Sequence, residues 1–334
     1  MTAALWRWSA CKLARAISAG EIRSSDAVKS CLARLQEVNP QINAVVDVLH
    51  DEALAEAHRA DTAALRGEPL GPLHGVSVTI KINVDCAGRA TTNGVAAFKD
   101  RIAPADSPPV ANWRKAGAIV IGRTNVPAFS ARFFTDNALY GRTLNPWAPD
   151  RTPGGSSGGA AAAVATGIGA LAHGNDRAGS IRYPAYACGV FGLRPTVGRV
   201  PTFEPSTPAE PTITTQLTHV QGLLARSISD LRLGLTAMAA RDARDPWWVA
   251  APLGDIPSGQ PRRVALCNPP LSAKADDAVI AALKVAARYL EAAGWAVDEL
   301  MPPHLEEAAQ LFFSLIRTEE KTGTSIGGGS NDRK

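Results

Sequence analysis

The sequence predicts an α/β protein in which a mixed β-sheet is covered by helices on both faces. Three observations carry that expectation. Segments with apolar residues every three or four positions alternate with segments in which they recur every two. In GPLHGVSVTIKINVD, Val76, Val78, Ile80, Ile82 and Val84 alternate with Ser77, Thr79, Lys81, Asn83 and Asp85, the period of a strand. Residues 158–166, GGAAAAVAT, have no polar face, as a helix buried all round requires.

Taken in order, Val28, Cys31, Leu32 and Leu35 mark a helix over residues 25–37, opened by serine and stopped by Asn39-Pro40. A second helix is expected over 51–65, then the strand at 76–84, a short helix at 109–115 and a strand at 118–121. The buried helix at 158–166 leads to a short strand at 170–173 and the turn GNDRAGS. Prolines and threonines make 202–215 a surface loop. Further on come a strand at 264–267, a helix at 276–290 with Val279, Ile280, Leu283, Ala287 and Leu290 on one side, and a strand at 296–300. The expected organisation is an N-terminal helical segment (1–66), a central core (67–241), a smaller α/β part (242–316) and a disordered tail (317–334).

With 334 residues, 46% of them hydrophobic, the chain can bury a large core. Its 35 basic and 31 acidic residues are scattered and leave a net charge of +4, which argues against a nucleic-acid or membrane-surface patch. Nowhere do about 20 apolar residues run uninterrupted, and the N-terminus has no secretory h-region. Cysteines 11, 31, 86, 188 and 267 are odd in number and lack both CxxC and metal-ligand spacing. That usage predicts reduced thiols in a cytoplasmic protein.

The stretch TPGGSSGG, residues 152–159, formally contains G-x-S-x-G. A nucleophile elbow requires a strand immediately before it, whereas NPWAPDRTP places prolines at 146, 149 and 153. No GK[ST] follows, which excludes a P-loop. His173, His219 and His304 sit in no recognisable acid–base context, and the ordinary reading of each is a structural or surface residue. A lysine can replace histidine as base if burial lowers its pKa from about 10.4 to near 7, at a cost of about 4 kcal/mol. Lys81 is the candidate. From the strand pattern alone, however, an ordinary lysine on the solvated face of a half-exposed strand is the favoured reading.

Together, GPLHGVSVTIKINVD, TPGGSSGG and GSIRYPAYACGVFGLRPTVGRV resemble the amidase signature family, over about residues 5–315. The resemblance implies that family's fold and hydrolysis of a carboxamide through an acyl-enzyme on a Ser-cisSer-Lys triad. It places the base at Lys81, the relay hydroxyl at Ser156 after a cis peptide bond, and the nucleophile at Ser180. The oxyanion hole falls on Arg177, Ala178, Gly179 and Ser180, with Gly155, Ser157, Asp176 and Arg182 in support. Asp176 and Arg182 are positioned to pair and hold the turn rigid. A small-molecule amide substrate is implied, with no cofactor, metal, nucleic acid or membrane; a homodimer is left open.

Two departures from the family pattern stand out. Arg177-Ala178 replaces an uncharged residue and a glycine, so a positive φ at position 178 would be strained, and Arg177 would narrow the substrate's approach. The match also fades near Arg317, from which a C-terminally truncated family member is expected. Two rivals stay open: the glutamine-hydrolysing component of a tRNA amidotransferase, and a non-catalytic remnant, which would not react with a fluorophosphonate.

Overall fold

The computed structural model describes residues 4–207, 210–251, 253–254, 262–267 and 275–321. The chain runs α1 (Ala10–Ser18), α2 (Ser24–Ile42), β1 (Val45–Val48), α3 (His50–Leu65), β2 (Ser77–Lys81), α4 (Pro108–Lys115) and β3 (Ile119–Thr124). It continues through α5 (Gly158–Thr166), β4 (Leu171–Asp176), α6 (Arg182–Cys188), β5 (Phe191–Leu193), α7 (Ile213–Thr218), β6 (Val220–Ala225) and α8 (Ile228–Met238). Last come β7 (Arg263–Leu266), α9 (Asp277–Ala292), β8 (Ala296–Glu299) and α10 (Leu305–Lys321).

Six strands form one mixed sheet in the order β1-β3-β2-β4-β6-β5. β2 lies parallel to both β3 and β4, and the outer pairings are antiparallel. Val78 and Thr79 of β2 face Val120 and Gly122 of β3, so Ile121 is an extra residue in the ladder.

Each face of the sheet has its own apolar core. On one side Val78 and Ile80 pack with Leu13 and Ile17 of α1, Trp113 of α4 and Leu231 and Leu235 of α8. On the other, Ile119, Ile121, Ala172 and Leu224 meet α2, α3 and the alanines of α5. Both faces are therefore covered, and all five residues of β2 are buried. Its period of two separates an apolar face from a polar face that is equally dry, not a core face from a solvated one.

Several boundaries move. α2 runs through Pro40 to Ile42, because a proline in the last turn forfeits one hydrogen bond without breaking the helix. The actual stop is Asn43 at φ 49°, while the Asn39 side chain accepts from the N–H groups of Ala44 and Val45. The expected strand at 170–173 extends to Asp176. Within the expected 202–215 loop, residues 213–215 open α7, capped by Thr212.

The described residues form two compact units, one before Leu253 and one from Leu253 onward. The helices of residues 1–66 belong to the same unit as the sheet. The break expected at residue 242 lies at Leu253, because Asp245 accepts from the N–H groups of Thr202 and Trp247 and ties the intervening stretch down. In the second unit β7 pairs parallel with β8, with α9 as the crossover. Of the tail expected at 317–334, residues 317–321 extend α10 with good helix formers; the rest lies outside the described residues.

Candidate active site

Lys81 is the last residue of β2 and is fully buried. Its Nζ lies 2.7 Å from Ser156 Oγ and 2.6 Å from Asn175 Oδ1. Burial lowers its pKa from 10.5 to about 7, against an upward pull from Asp176. A solvated lysine on a half-exposed strand is thus not what the fold makes of this residue. The central position of β2 puts it under the segment leading into α5.

That segment is the glycine-serine stretch. The Gly155–Ser156 peptide bond is cis. A Cβ on Gly155 would lie 2.5 Å from the Arg132 carbonyl oxygen and 2.6 Å from the Phe134 nitrogen, so only glycine fits. Ser156 and Ser157 are both buried. The Ser157 N–H donates to the Ser180 carbonyl at 3.1 Å, and its hydroxyl donates to the Asn175 carbonyl at 3.4 Å. TPGGSSGG is therefore an anchored entry to a buried helix, clamped to the second glycine-serine turn.

The second turn joins the end of β4 to α6 and closes around one carboxylate. Asp176 accepts from the N–H groups of Gly179 (2.7 Å) and Ile181 (3.0 Å) and from Arg182 Nε (3.1 Å) and Nη2 (2.9 Å). Arg194 Nε stands 3.7 Å away. Burial alone would raise the Asp176 pKa; the Arg182 hydrogen bonds and the two backbone donors outweigh it and bring the pKa down to about 2. The positive φ of the turn, +119°, falls on Gly179, and Ala178 is not among the left-handed residues. The alanine is accommodated without the expected strain. Arg177 has its Nε and Nη2 buried and lies close enough to His219 to help keep that ring neutral, so its guanidinium is turned inward.

Of the four residues expected to form an oxyanion hole, Gly179 has its N–H committed to Asp176. The N–H groups of Ala178 and Ser180 donate to no protein group among the described residues. The Ser180 hydroxyl likewise forms no hydrogen bond among the described residues, so Lys81 and Ser156 are in contact while Ser180 is tied by its carbonyl to the adjacent Ser157. His173 is fully buried and His219 partly so, and desolvation drops their pKa values to about 3 and 4. His173 bonds Gln221 and stacks edge-on against Trp113, so neither ring is poised as a base near neutrality. Among the described residues no three His, Cys, Asp or Glu side chains converge as a metal cage would.

Sequence reasoning missed Asn175, which the expected turn GNDRAGS kept out of the strand. In β4 its side-chain oxygen reaches the lysine amine where the two strands end. It also missed the ring of Phe133, which lies 3.9 Å from where a Cβ on Gly179 would sit and packs edge-on against Tyr183 (centroids 6.2 Å apart). Nothing in the periodicity around Phe133 signals that placement.

A family model described as Amidase matches residues 26–326. Indoleacetamide hydrolase of Bradyrhizobium diazoefficiens is 52% identical over 316 residues, covering 94% of this chain and 60% of that protein. A glutamyl-tRNA(Gln) amidotransferase chain of Moorella thermoacetica is 32% identical, over 94% of this chain and 64% of its own length. A solved structure of a fatty acid amide hydrolase superposes with a TM-score of 0.87 at 27% identity, covering 96% of this chain and 57% of that one. The chain thus spans about 60% of the length of the relatives it matches.

Proposed function

The chain belongs to the amidase signature family, and from that premise we propose that it hydrolyses a carboxamide to an acid and ammonia or an amine. One observation carries this: a lysine amine, buried and with its pKa brought to about 7, stands 2.7 Å from the hydroxyl of Ser156. A neutral amine there takes the Ser156 proton as Ser156 takes that of Ser180. Ser180 Oγ, turned onto Ser156 as substrate docks, adds to the amide carbon. The N–H groups of Ala178 and Ser180 face the developing oxyanion. On collapse the C–N bond breaks, and the proton returns from Lys81 through Ser156 to the departing nitrogen. Water then repeats the cycle on the acyl-enzyme and releases the acid.

The substrate class we propose is an amide with an aromatic acyl group. Phe133 and Tyr183 present an apolar wall beside the nucleophile turn, and Tyr186 stacks on Tyr183 with centroids 6.3 Å apart. Indoleacetamide, named for the relative at 52% identity, is of that class. Glutamine, which the amidotransferase relatives suggest, brings two charges of its own. Arg182 and Arg194, the arginines beside Asp176, are already engaged by that carboxylate. We place the protein in the cytoplasm; sedimentation would tell a monomer from a homodimer. No helix among the described residues is long and apolar enough to cross a membrane.

The test is intact-mass detection of an acyl adduct across a panel of arylacetamides, short aliphatic amides and glutamine, with Ser180→Ala as control. An adduct with an arylacetamide, absent from the control, is expected. An adduct persisting in Ser180→Ala would overturn the nucleophile, and turnover of glutamine alone would overturn the substrate class.

A further inference from the structure

Behind the catalytic lysine lies a chain of hydrogen-bonded polar side chains that leads from Asn175 through Asn83 and Ser130 to Asn93. Asn175 and Asn83 face each other as a closed amide pair. Asn175 Nδ2 donates to Asn83 Oδ1 at 3.0 Å, and Asn83 Nδ2 donates to Asn175 Oδ1 at 3.2 Å. Asn83 Nδ2 also donates to Ser130 Oγ at 3.0 Å, and Ser130 Oγ donates to Asn93 Oδ1 at 2.8 Å. The amide orientations are fixed by chemistry. A lysine carrying its proton offers only donors, so Asn175 must turn its oxygen toward Nζ, which leaves its NH2 for Asn83. Asn83 must then present its own oxygen to Asn175 and its NH2 to Ser130, whose proton is free for Asn93.

The outer end of this chain is rigidly built. Asn93, Phe129 and Ser130 all have positive φ (47°, 58° and 55°), and the Phe129 N–H donates to the Asn93 carbonyl at 2.9 Å. Asparagine adopts this backbone readily, but phenylalanine and serine hold it only where their surroundings impose it, and sites of that kind cluster around function. Two loops are thus locked together at the point where Ser130 meets Asn83.

We infer that Asn83 is a positioning residue for the catalytic lysine: by holding the Asn175 amide with its oxygen toward Lys81, it keeps one lysine N–H tethered and the amine's lone pair aimed at Ser156. Without that tether the Asn175 amide is free to rotate by half a turn. Its NH2 then faces Nζ, takes the lone pair of the neutral amine and repels the ammonium form. The base becomes both weaker and misdirected, while the substrate-facing surface stays as it was.

This rests on Lys81 being the base, and the experiment separates the two claims. The pH dependence of kcat and kcat/KM on an arylacetamide is measured for the wild type, Lys81→Met, Asn83→Leu and Asn83→Asp. An acid-limb inflection in the wild type that is absent from any residual rate of Lys81→Met upholds the base; one that persists unchanged sinks the base assignment, whatever Asn83 does. With the base upheld, Asn83→Leu should lower kcat by about tenfold to a hundredfold with KM within about twofold. Its inflection should move down by about half a pH unit. Asn83→Asp is nearly isosteric, keeps an acceptor for Asn175 Nδ2 and adds a negative charge, so its inflection should move up instead. A fall in kcat with no movement of the inflection in either variant would reduce Asn83 to a structural residue and overturn the inference. Should Asn83→Leu fail to fold, the direction of the shift in Asn83→Asp decides alone.

Discussion

Two buried ionisable centres lie four residues apart in the sequence, and only one has the surroundings that the proposed chemistry needs. Around Lys81, burial brings an amine down to about pH 7. Around Asp85, burial, reinforced by the Asp85 charge, pushes the Glu204 carboxyl up to about 8. The perturbations are comparable and the surroundings are not. Glu204 Oε2 accepts from the Asp85 N–H (2.9 Å) and from Ser107 Oγ (2.6 Å), and Asp85 accepts from the Ser206 N–H and hydroxyl and from Thr91. Those bonds fasten the loop around residues 204–206 to the chain just past β2. Lys81 instead ends on a hydroxyl whose neighbour, Ser157, is bonded to the backbone of Ser180. A shifted pKa is therefore a sign of burial, and it marks a reaction centre only where the group can pass its proton toward a nucleophile.

The contrast can be broken most forcefully at Lys81. Lys81→Met should lower turnover by about a thousandfold. Folding at pH 7 strips this lysine of a proton it holds when unfolded, at a cost on the order of 5 kcal/mol. Because the folded pKa is depressed, the unfolded state binds more protons between about pH 7 and 10.5, and wild-type stability rises with pH across that window. Urea unfolding at pH 7 should find Lys81→Met more stable by about 2 kcal/mol, and the rise with pH should be gone. A destabilised variant would mean that the site's hydrogen bonds outweigh the desolvation.

A smaller loss of activity is expected at the carboxylate that shapes the nucleophile turn. Asp176→Asn should reduce kcat by about thirtyfold through disordered backbone donors, and stability by about 2 kcal/mol through the lost charged acceptor of the Gly179 and Ile181 N–H groups, the exposed Arg182 being resolvated. The Asp176 pKa is depressed, so its contribution is present above pH 3.8 and is lost as pH falls through about 2. Acid unfolding of the variant should lack that component.

Least is expected of Glu204→Gln, with kcat/KM on an arylacetamide within about threefold of wild type. Here the folded pKa is raised from 4.5 to about 8, so stability falls as pH climbs through that interval, the opposite sign to Lys81. Denaturant melts at pH 5.5 and 8 should show the wild type losing about 2 kcal/mol more than the variant. Activity collapsing with Glu204→Gln would erase the distinction between the two centres.

Much of this is legible in the chain itself. Lys81, Ser156 and Ser180 are singled out by the resemblance of their motifs to the amidase signature family, and the bounds of helix α5 follow from the sequence because an apolar run with no polar face has only one home. The limits lie where neighbours decide. An alternating strand looks half-exposed until a second layer covers its polar face, which is why Lys81 on its own reads as solvated. Asn175 reads as part of a turn because its glycine neighbour outweighs three residues of strand. Asn83 reads only as one more polar position; its pairing with Asn175 is a contact across 92 residues that no local pattern encodes. The left-handed φ of Phe129 and Ser130 runs against the preference of both residue types, and only tertiary packing imposes it.

The parity of β2 has a consequence for how such a chain can change over time. Odd positions from 77 to 81 look toward the serines and even ones toward the opposite apolar layer, so losing or gaining one codon inside the strand would swap the two sets wholesale. An isoleucine would then confront Ser156 and an ammonium would enter the oily layer. Drift in this segment is confined to exchanges of side chain, and lengthening or shortening must be borne by the connections at either end.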